Sequence, residues 1–388
     1  MRGLWRLIKT LWYTVVTSVV VVVVAWLGSV ALRTVDEQAY AEARDWVRVF
    51  RTEYLRPGQR YRFLETYPEF KTVDAAGLIR VHTVSDVWAA RANLLHAIWG
   101  EQGLPTGLRP TRIEPGVADE TFSPMAEVAR IDLLVRETPP GFVSRAYHLV
   151  PKVPNGKLVV YHEGNTGRFH RNAHVLQRFL AEGYGVLAFS MWITDRQPDI
   201  VVRGSGRIAF NDHQHLKFLD DPNPLRVYFD PVVAGLNAVL ETGAYDDVVA
   251  VGFSGGGWAV TVLAAMDPRV RLSYPVAGSY PLYLRKYRSW STWQETYPPM
   301  LAAANYLDMY VMAAAGDGRR QVQVLNQFDG CCYGGVDWQT YAAAVRAAAQ
   351  SLGDGWDVFV DTSHADHRFS MVAVDRVLQD IRDHPPAH

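Results

Sequence analysis

The chain has 388 residues, 49% of them hydrophobic, and a formal net charge of −1 at neutral pH. That length supports one large domain or a domain with an appendage, and a near-zero charge without a Lys/Arg-rich stripe argues against a nucleic-acid partner. The two cysteines, Cys331 and Cys332, are adjacent; neighbours rarely bridge without strain, so no disulfide framework is expected and the pair fixes no compartment.

The chain opens with "MRGLWRLIKTLWYTVVTSVVVVVVAWLGSVALRTVDEQ", in which the 23 residues from Thr10 to Leu32 carry no charge. As a helix they span roughly 34 Å, enough to cross a bilayer. Arg2, Arg6 and Lys9 precede the run, whereas Arg33 is soon offset by Asp36 and Glu37. The positive-inside rule then expects residues 1–9 in the cytoplasm, a single-pass anchor at 10–32 and an exported body. A cleaved signal peptide is the rival reading, with Ser29-Val30-Ala31 as a tolerable site, but the apolar run exceeds an ordinary h-region.

Residues 33–125 read as a helical preface, either a stalk or a cover packed on the next domain. "DEQAYAEARDWVRVFRTEYL" spaces its apolar residues at helical intervals, and "SDVWAARANLLHAIWG" begins with a Ser-Asp capping signal. "EQGLPTGLRPTRIEPG" reads as loop. From about residue 126 strands alternate with helices. "VARIDLLVRE" and "FVSRAYHLVP" suggest an antiparallel hairpin, and "KLVVYHEG" a buried strand. Then come helix "NAHVLQRFLAEGY", strand "GVLAFSM", helix "DPVVAGLNAVLETG" and strand "DVVAVGF". Helix "GWAVTVLAAMD" and strands "VRLSYPVAG" and "YVMAAAG" come after these, then helix "DWQTYAAAVRAAAQSLG", strand "WDVFVD" and helix "SMVAVDRVLQDIRD". Continuously apolar strands alternating with helices mean an α/β domain, a mostly parallel sheet covered on both faces. Two irregular insertions, 192–229 and 282–309, lie after strands, where ligand-facing segments belong.

Between "DVVAVGF" and its helix stands Gly252-Phe253-Ser254-Gly255-Gly256, a G-x-S-x-G sequence. A chain reversing there forces its central residue into a strained conformation, and the flanking glycines keep side chains from colliding with neighbouring elements. The Ser254 hydroxyl is thereby held above the sheet, with the Gly255 N–H and the positive end of the helix facing the same space.

On these residues, region 126–388 resembles the α/β-hydrolase superfamily of serine hydrolases and esterases. The resemblance implies a serine nucleophile, a histidine base, an orienting carboxylate and an oxyanion hole, with no metal or organic cofactor. It implies Ser254 as nucleophile and Gly255 as one oxyanion donor. "VVYHEGNTGRFHRN" is similar to the superfamily's His-Gly loop with Glu163 inserted, so the second donor is Asn165, or else Gly164. In "DVFVDTSHADHRFS" His364, three residues past the strand, is the expected base and His367 the alternative. The acid stays open between Asp317 in "YVMAAAGDGRR" and Asp329 in "VLNQFDGCCYGG"; the second lies 35 residues before His364 in a segment too apolar for a solvated loop.

The expected function is hydrolysis of an ester or related acyl bond in a small-molecule or lipid-like substrate. A peptidase or acyltransferase using the same residues is the alternative, as is a non-catalytic binding module of the same fold. "NDHQHLKFLDD", with Asp212, His213, His215, Asp220 and Asp221, carries a weak zinc pattern and reads rather as a solvated loop. The aromatic run "YPLYLRKYRSWSTWQETYPPM" suits a lid or acyl pocket, or equally packing onto the core.

Overall fold

A computed structural model of the chain describes residues 63–386 apart from 139–141, 166, 168, 192–200, 203–205, 208–221, 287–291 and 354, together with scattered positions between 12 and 51. The insertion at 192–229 therefore falls largely outside the described residues, as do Asp212, His213, His215, Asp220 and Asp221. Much of the expected anchor at 10–32 also lies outside them; its described positions, Trp12 and Val20 among them, are helical and exposed. No helix among the described residues is long and apolar enough to cross a membrane.

The core is a nine-stranded sheet of β1 (Arg112–Glu114), β2 (Val128–Thr138), β3 (Phe142–Pro151), β4 (Lys157–His162), β5 (Gly185–Phe189), β8 (Asp247–Phe253), β9 (Leu272–Val276), β10 (Arg320–Asn326) and β11 (Trp356–Asp361). β6 (Val201–Val202) and β7 (Gly206–Arg207) pair separately. The order is β1-β2-β3-β5-β4-β8-β9-β10-β11. β1, β2, β3 and β5 pair antiparallel, and every pair from β5 through β4 to β11 is parallel. The central strands are apolar at consecutive positions because both faces are covered. Leu158, Val160, Leu187, Val248 and Ala250 enter one hydrophobic layer; Val159, Tyr161, Val186, Val249 and Val251 enter the other.

The first layer carries helices α1 (Val84–Trp99), α3 (Arg226–Leu240), α4 (Gly255–Met266), α5 (Pro298–Ala303), α6 (Tyr306–Ala314) and α7 (Ala342–Gln350). The second carries α2 (Ala173–Ala181) and α8 (Met371–Asp383). The helical preface is not a separate stalk from residue 63 onward: Val87, Leu94, Leu95 and Ile98 of α1 join the first layer, and β1 extends the sheet. α1 starts one residue before the expected Ser-Asp signal, with Thr83 and Asp86 in a reciprocal capping box. In the 282–309 insertion, Leu284, Met300 and Tyr306 are fully buried in the same layer, beside Tyr280, so these side chains pack the core.

Two expectations are corrected. The segment "YVMAAAG", expected as a strand, is the end of helix α6. All nine residues of that helix are buried, so it shows no polar face and no helical period in the sequence. The strand comes later, as β10. Cys331 and Cys332 are also joined by a disulfide, against the expectation for adjacent residues. A bond between neighbours closes no chain loop and so adds no framework.

Candidate active site

The C-terminal ends of β4, β8, β10 and β11 bring four loops to one edge of the sheet. At the end of β8 the chain turns sharply: Ser254 has φ 56° and ψ −122°, a region that costs a non-glycine residue roughly 1–3 kcal/mol. The surroundings over-determine it. Its N–H donates to the Val276 carbonyl at 2.8 Å, and its own carbonyl accepts the Trp258 N–H at 3.1 Å in the first turn of α4. A Cβ on Gly256 would run into the carbonyl of His162, and one on Gly164 would stand 3.1 Å from Ser254 Cβ. At Gly256 glycine is required by close approach of backbone to backbone, and at Gly164 a Cβ would fit only tightly.

The Ser254 hydroxyl meets a ring, and the ring is His367. Its Nε2 lies 2.8 Å from Ser254 Oγ, and its Nδ1 lies 2.5 Å from Asp329 Oδ2. An ionised carboxylate only accepts, so Nδ1 carries the proton and Nε2 accepts from the hydroxyl. Phe253 packs against the ring, with centroids 4.6 Å apart. Asp329 is fully buried, and its other oxygen, Oδ1, accepts the N–H groups of Cys331 at 2.7 Å and Cys332 at 3.3 Å. Those main-chain donors fix the carboxylate's rotation.

Two expected residues lie elsewhere. His364, the expected base, is completely buried and its Nε2 is 3.2 Å from Asp361 Oδ2, at the end of β11. Burial opposes the charge on Asp361, but His364, Ser363 and Ser370 outweigh it and hold the carboxyl well below the usual range. The turn right after β11 is thus occupied by its own carboxylate, and the ring that reaches Ser254 comes three residues further on. Asp317 is exposed in the turn before β10. The seven residues of β10 separate it from the C-terminal edge, about 20 Å of strand. Its displacement is the result of the helix that replaces the expected strand.

The loop after β4 supplies the remaining groups. Glu163 is buried, and it accepts from Gly164 N–H at 2.9 Å, Asn172 Nδ2 at 2.8 Å and Tyr161 hydroxyl at 3.1 Å. Burial raises its pKa against those donors. The Gly164 N–H is therefore taken by the neighbouring carboxylate. No acceptor among the described residues takes the Asn165 N–H, and Asn165 Oδ1 is buried without a partner among them, in the space a Cβ on Gly255 would fill. Gly255 N–H belongs to the first turn of α4, where no intrahelical acceptor exists. His162, which opens this loop, is buried and has its pKa lowered to about 4 by burial, so it is neutral. A cavity of about 200 Å³, lined in part by Arg130, Asp132, His148 and Tyr245, shares no residue with this site.

Three features escape sequence reasoning: the Cys331 and Cys332 amides on Asp329, the Phe253 ring against His367, and the role of Glu163 in occupying the Gly164 amide. Main-chain donors leave no residue-type signal, whereas Glu163 does stand out as a departure from the His-Gly pattern.

The architecture is that of the α/β-hydrolase fold. Solved structures share it at low identity. An acetyl xylan esterase from Paenibacillus sp. R4 is 16% identical, the match covering 79% of this chain and 96% of that one, with a TM-score of 0.50. Acetyl xylan esterase 1 from Thermoanaerobacterium sp. JW/SL YS485 is 16% identical over 76% of this chain and 92% of that one, with a TM-score of 0.51. Methylesterase BT1017 is 14% identical over 77% of this chain and 63% of that one, with a TM-score of 0.52. No protein-family model and no curated protein sequence matches the chain.

Proposed function

We propose that the protein is a serine hydrolase that cleaves an ester or related acyl bond. The observation carrying this reading is the unbroken chain of hydrogen bonds from Ser254 through His367 to Asp329, at a backbone turn with positive φ. Ser254 Oγ attacks the acyl carbon while His367 Nε2 takes its proton. Asp329 holds the ring's tautomer and stabilises the imidazolium that forms. The N–H groups of Gly255 and Asn165, with the N-terminal end of α4 behind them, hold the oxyanion. His367 then returns the proton to the leaving alcohol, and water enters by the same route to release the acid. The names of the fold neighbours, two acetyl xylan esterases and a methylesterase, favour a small acyl or alkoxy group.

A fluorophosphonate probe is expected to label the wild-type chain, and Ser254→Ala is expected to abolish labelling with its thermal transition kept. A folded wild type that stays unlabelled and turns over no p-nitrophenyl ester would sink the reading.

The N-terminal run supports an anchor at residues 10–32 with the body exported. Trp12, Val15, Val20, Val24 and Trp26 are exposed apolar groups that lipid would cover. The full chain is expected in the alkaline-carbonate-resistant membrane fraction, and deletion of residues 2–32 is expected to move it to the supernatant. Equal partition of both forms removes this assignment.

A further inference from the structure

The loop that positions Asp329 carries two sulfurs to which the chemistry above gives no part. Because both cysteine amides point at Asp329 Oδ1, the chain folds tightly around that carboxylate. The fold also brings both sulfurs up to the imidazole: one ligand atom each from Cys331, Cys332 and His367 lie within 4.8 Å of one another. Cys331 is exposed, and Cys332 and His367 are half-buried, so solvent reaches the cluster. Two thiolates and one imidazole are a donor set of zinc and the soft divalent ions near it. A tetrahedral ion with bonds of about 2.3 Å to sulfur and about 2.0 Å to nitrogen needs donors about 3.5–3.8 Å apart, within reach of small side-chain shifts here.

We infer that the reduced Cys331–Cys332 pair and His367 form a binding site for a thiophilic divalent cation, whose occupancy takes the imidazole away from Ser254. A phosphine or dithiol reductant opens the pair. With a phosphine, two electrons pass to the disulfide, water supplies the oxygen of the phosphine oxide, and two thiols result. Binding one divalent ion then releases the two thiol protons. Both ring nitrogens are engaged, Nε2 by Ser254 at 2.8 Å and Nδ1 by Asp329 at 2.5 Å, so an ion on either one breaks a link. In the disulfide form the sulfurs are bonded to each other and offer no thiolate. The binding step stands on the cluster alone; the loss of Ser254 reactivity rests on the serine-hydrolase reading.

The full chain, reduced with a water-soluble phosphine and desalted without oxygen, is titrated with Co²⁺ beside the oxidised chain, Cys331→Ser/Cys332→Ser and His367→Gln. Serine at both positions leaves the two main-chain donors of Asp329 in place. A thiolate-to-cobalt charge-transfer band saturating at one ion per chain is expected in the reduced wild type and in neither the oxidised nor the double-serine chain. His367→Gln is expected to weaken cobalt binding more than about tenfold, since even an outer partner of a metal ligand is worth that much. Fluorophosphonate labelling of the reduced wild type is expected to fail with the ion present and to return after a chelator removes it. Absence of the band, equal cobalt uptake by the double-serine chain, or unchanged affinity in His367→Gln overturns the site. Labelling that persists at full occupancy overturns the capture of His367. If neither the oxidised nor the metal-free reduced chain takes the label, the serine-hydrolase reading fails and the cobalt arm still decides the site.

Discussion

His364 and His367 stand three residues apart on one loop, and their neighbours decide what each can do. His364 folds back onto Asp361 in a fully buried pocket, whereas His367 lies between Ser254 and Asp329. His367→Ala is therefore expected to lower kcat by at least about 10³-fold. His364→Ala is expected to leave kcat within a few-fold, and to cost about 1–3 kcal/mol of stability by removing a partner of the buried Asp361. The same contrast separates the carboxylates: Asp329→Asn should lower kcat about 10⁴-fold, and the exposed Asp317→Asn should change neither rate nor stability measurably. Steady-state kinetics with urea unfolding of the four variants checks all of this. The sequence alone makes the turn at Ser254 and Gly255 legible, because a reversal between a buried strand and a helix has few solutions and glycine marks it. It points to His364 ahead of His367, and the ring beside Ser254 is His367, because spacing from a strand end says nothing of which local carboxylate claims the first ring.

Among the elements, most strands and helices of the sheet are readable from apolar runs and their punctuation. The exception at α6 has a definite cause. Tyr306–Ala314 is buried on every side, so binary patterning vanishes. Its one surviving signal is the cap: Asn305 accepts from Leu307 and Asp308 N–H, and Asp308 accepts from Asn305 N–H. That Asn-x-x-Asp box, taken as a helix start, moves the strand to β10 and Asp317 to the wrong end of the sheet. The turn between β8 and α4 carries a prediction of its own. Ser254 holds a positive φ, which glycine adopts without penalty. Ser254→Gly and Ser254→Ala both lose the hydroxyl, so Ser254→Gly should be the more stable of the two by about 1 kcal/mol, measured as a difference in urea midpoints at equal slope.

Across the whole molecule, the two layers on either side of the sheet bury histidines as well as hydrocarbon. Burial lowers the pKa of both His148 and His162 to about 4, from about 6.5 in an unfolded chain. The unfolded state therefore binds more protons between pH 6.5 and 4, and stability falls as pH falls through that window. Each ring accounts for about 3 kcal/mol of this loss, while the raised carboxyl of Glu163 works in the opposite sense above its unfolded value. His148→Gln should flatten the dependence of unfolding free energy on pH between 4 and 6.5, as read from urea titrations; an unchanged slope would deny the buried-neutral state. The same large core links distant parts of the chain. The face of α1 rests on α3, α4 and α5, and Arg80 pairs with Asp308 of α6. During synthesis the ribosome delivers α1 long before those partners, and at about 5–20 residues per second its apolar side stays bare for on the order of ten seconds or more. A nascent chain of this kind invites a holdase early, and its first cooperative act must wait until more than half of it has been made.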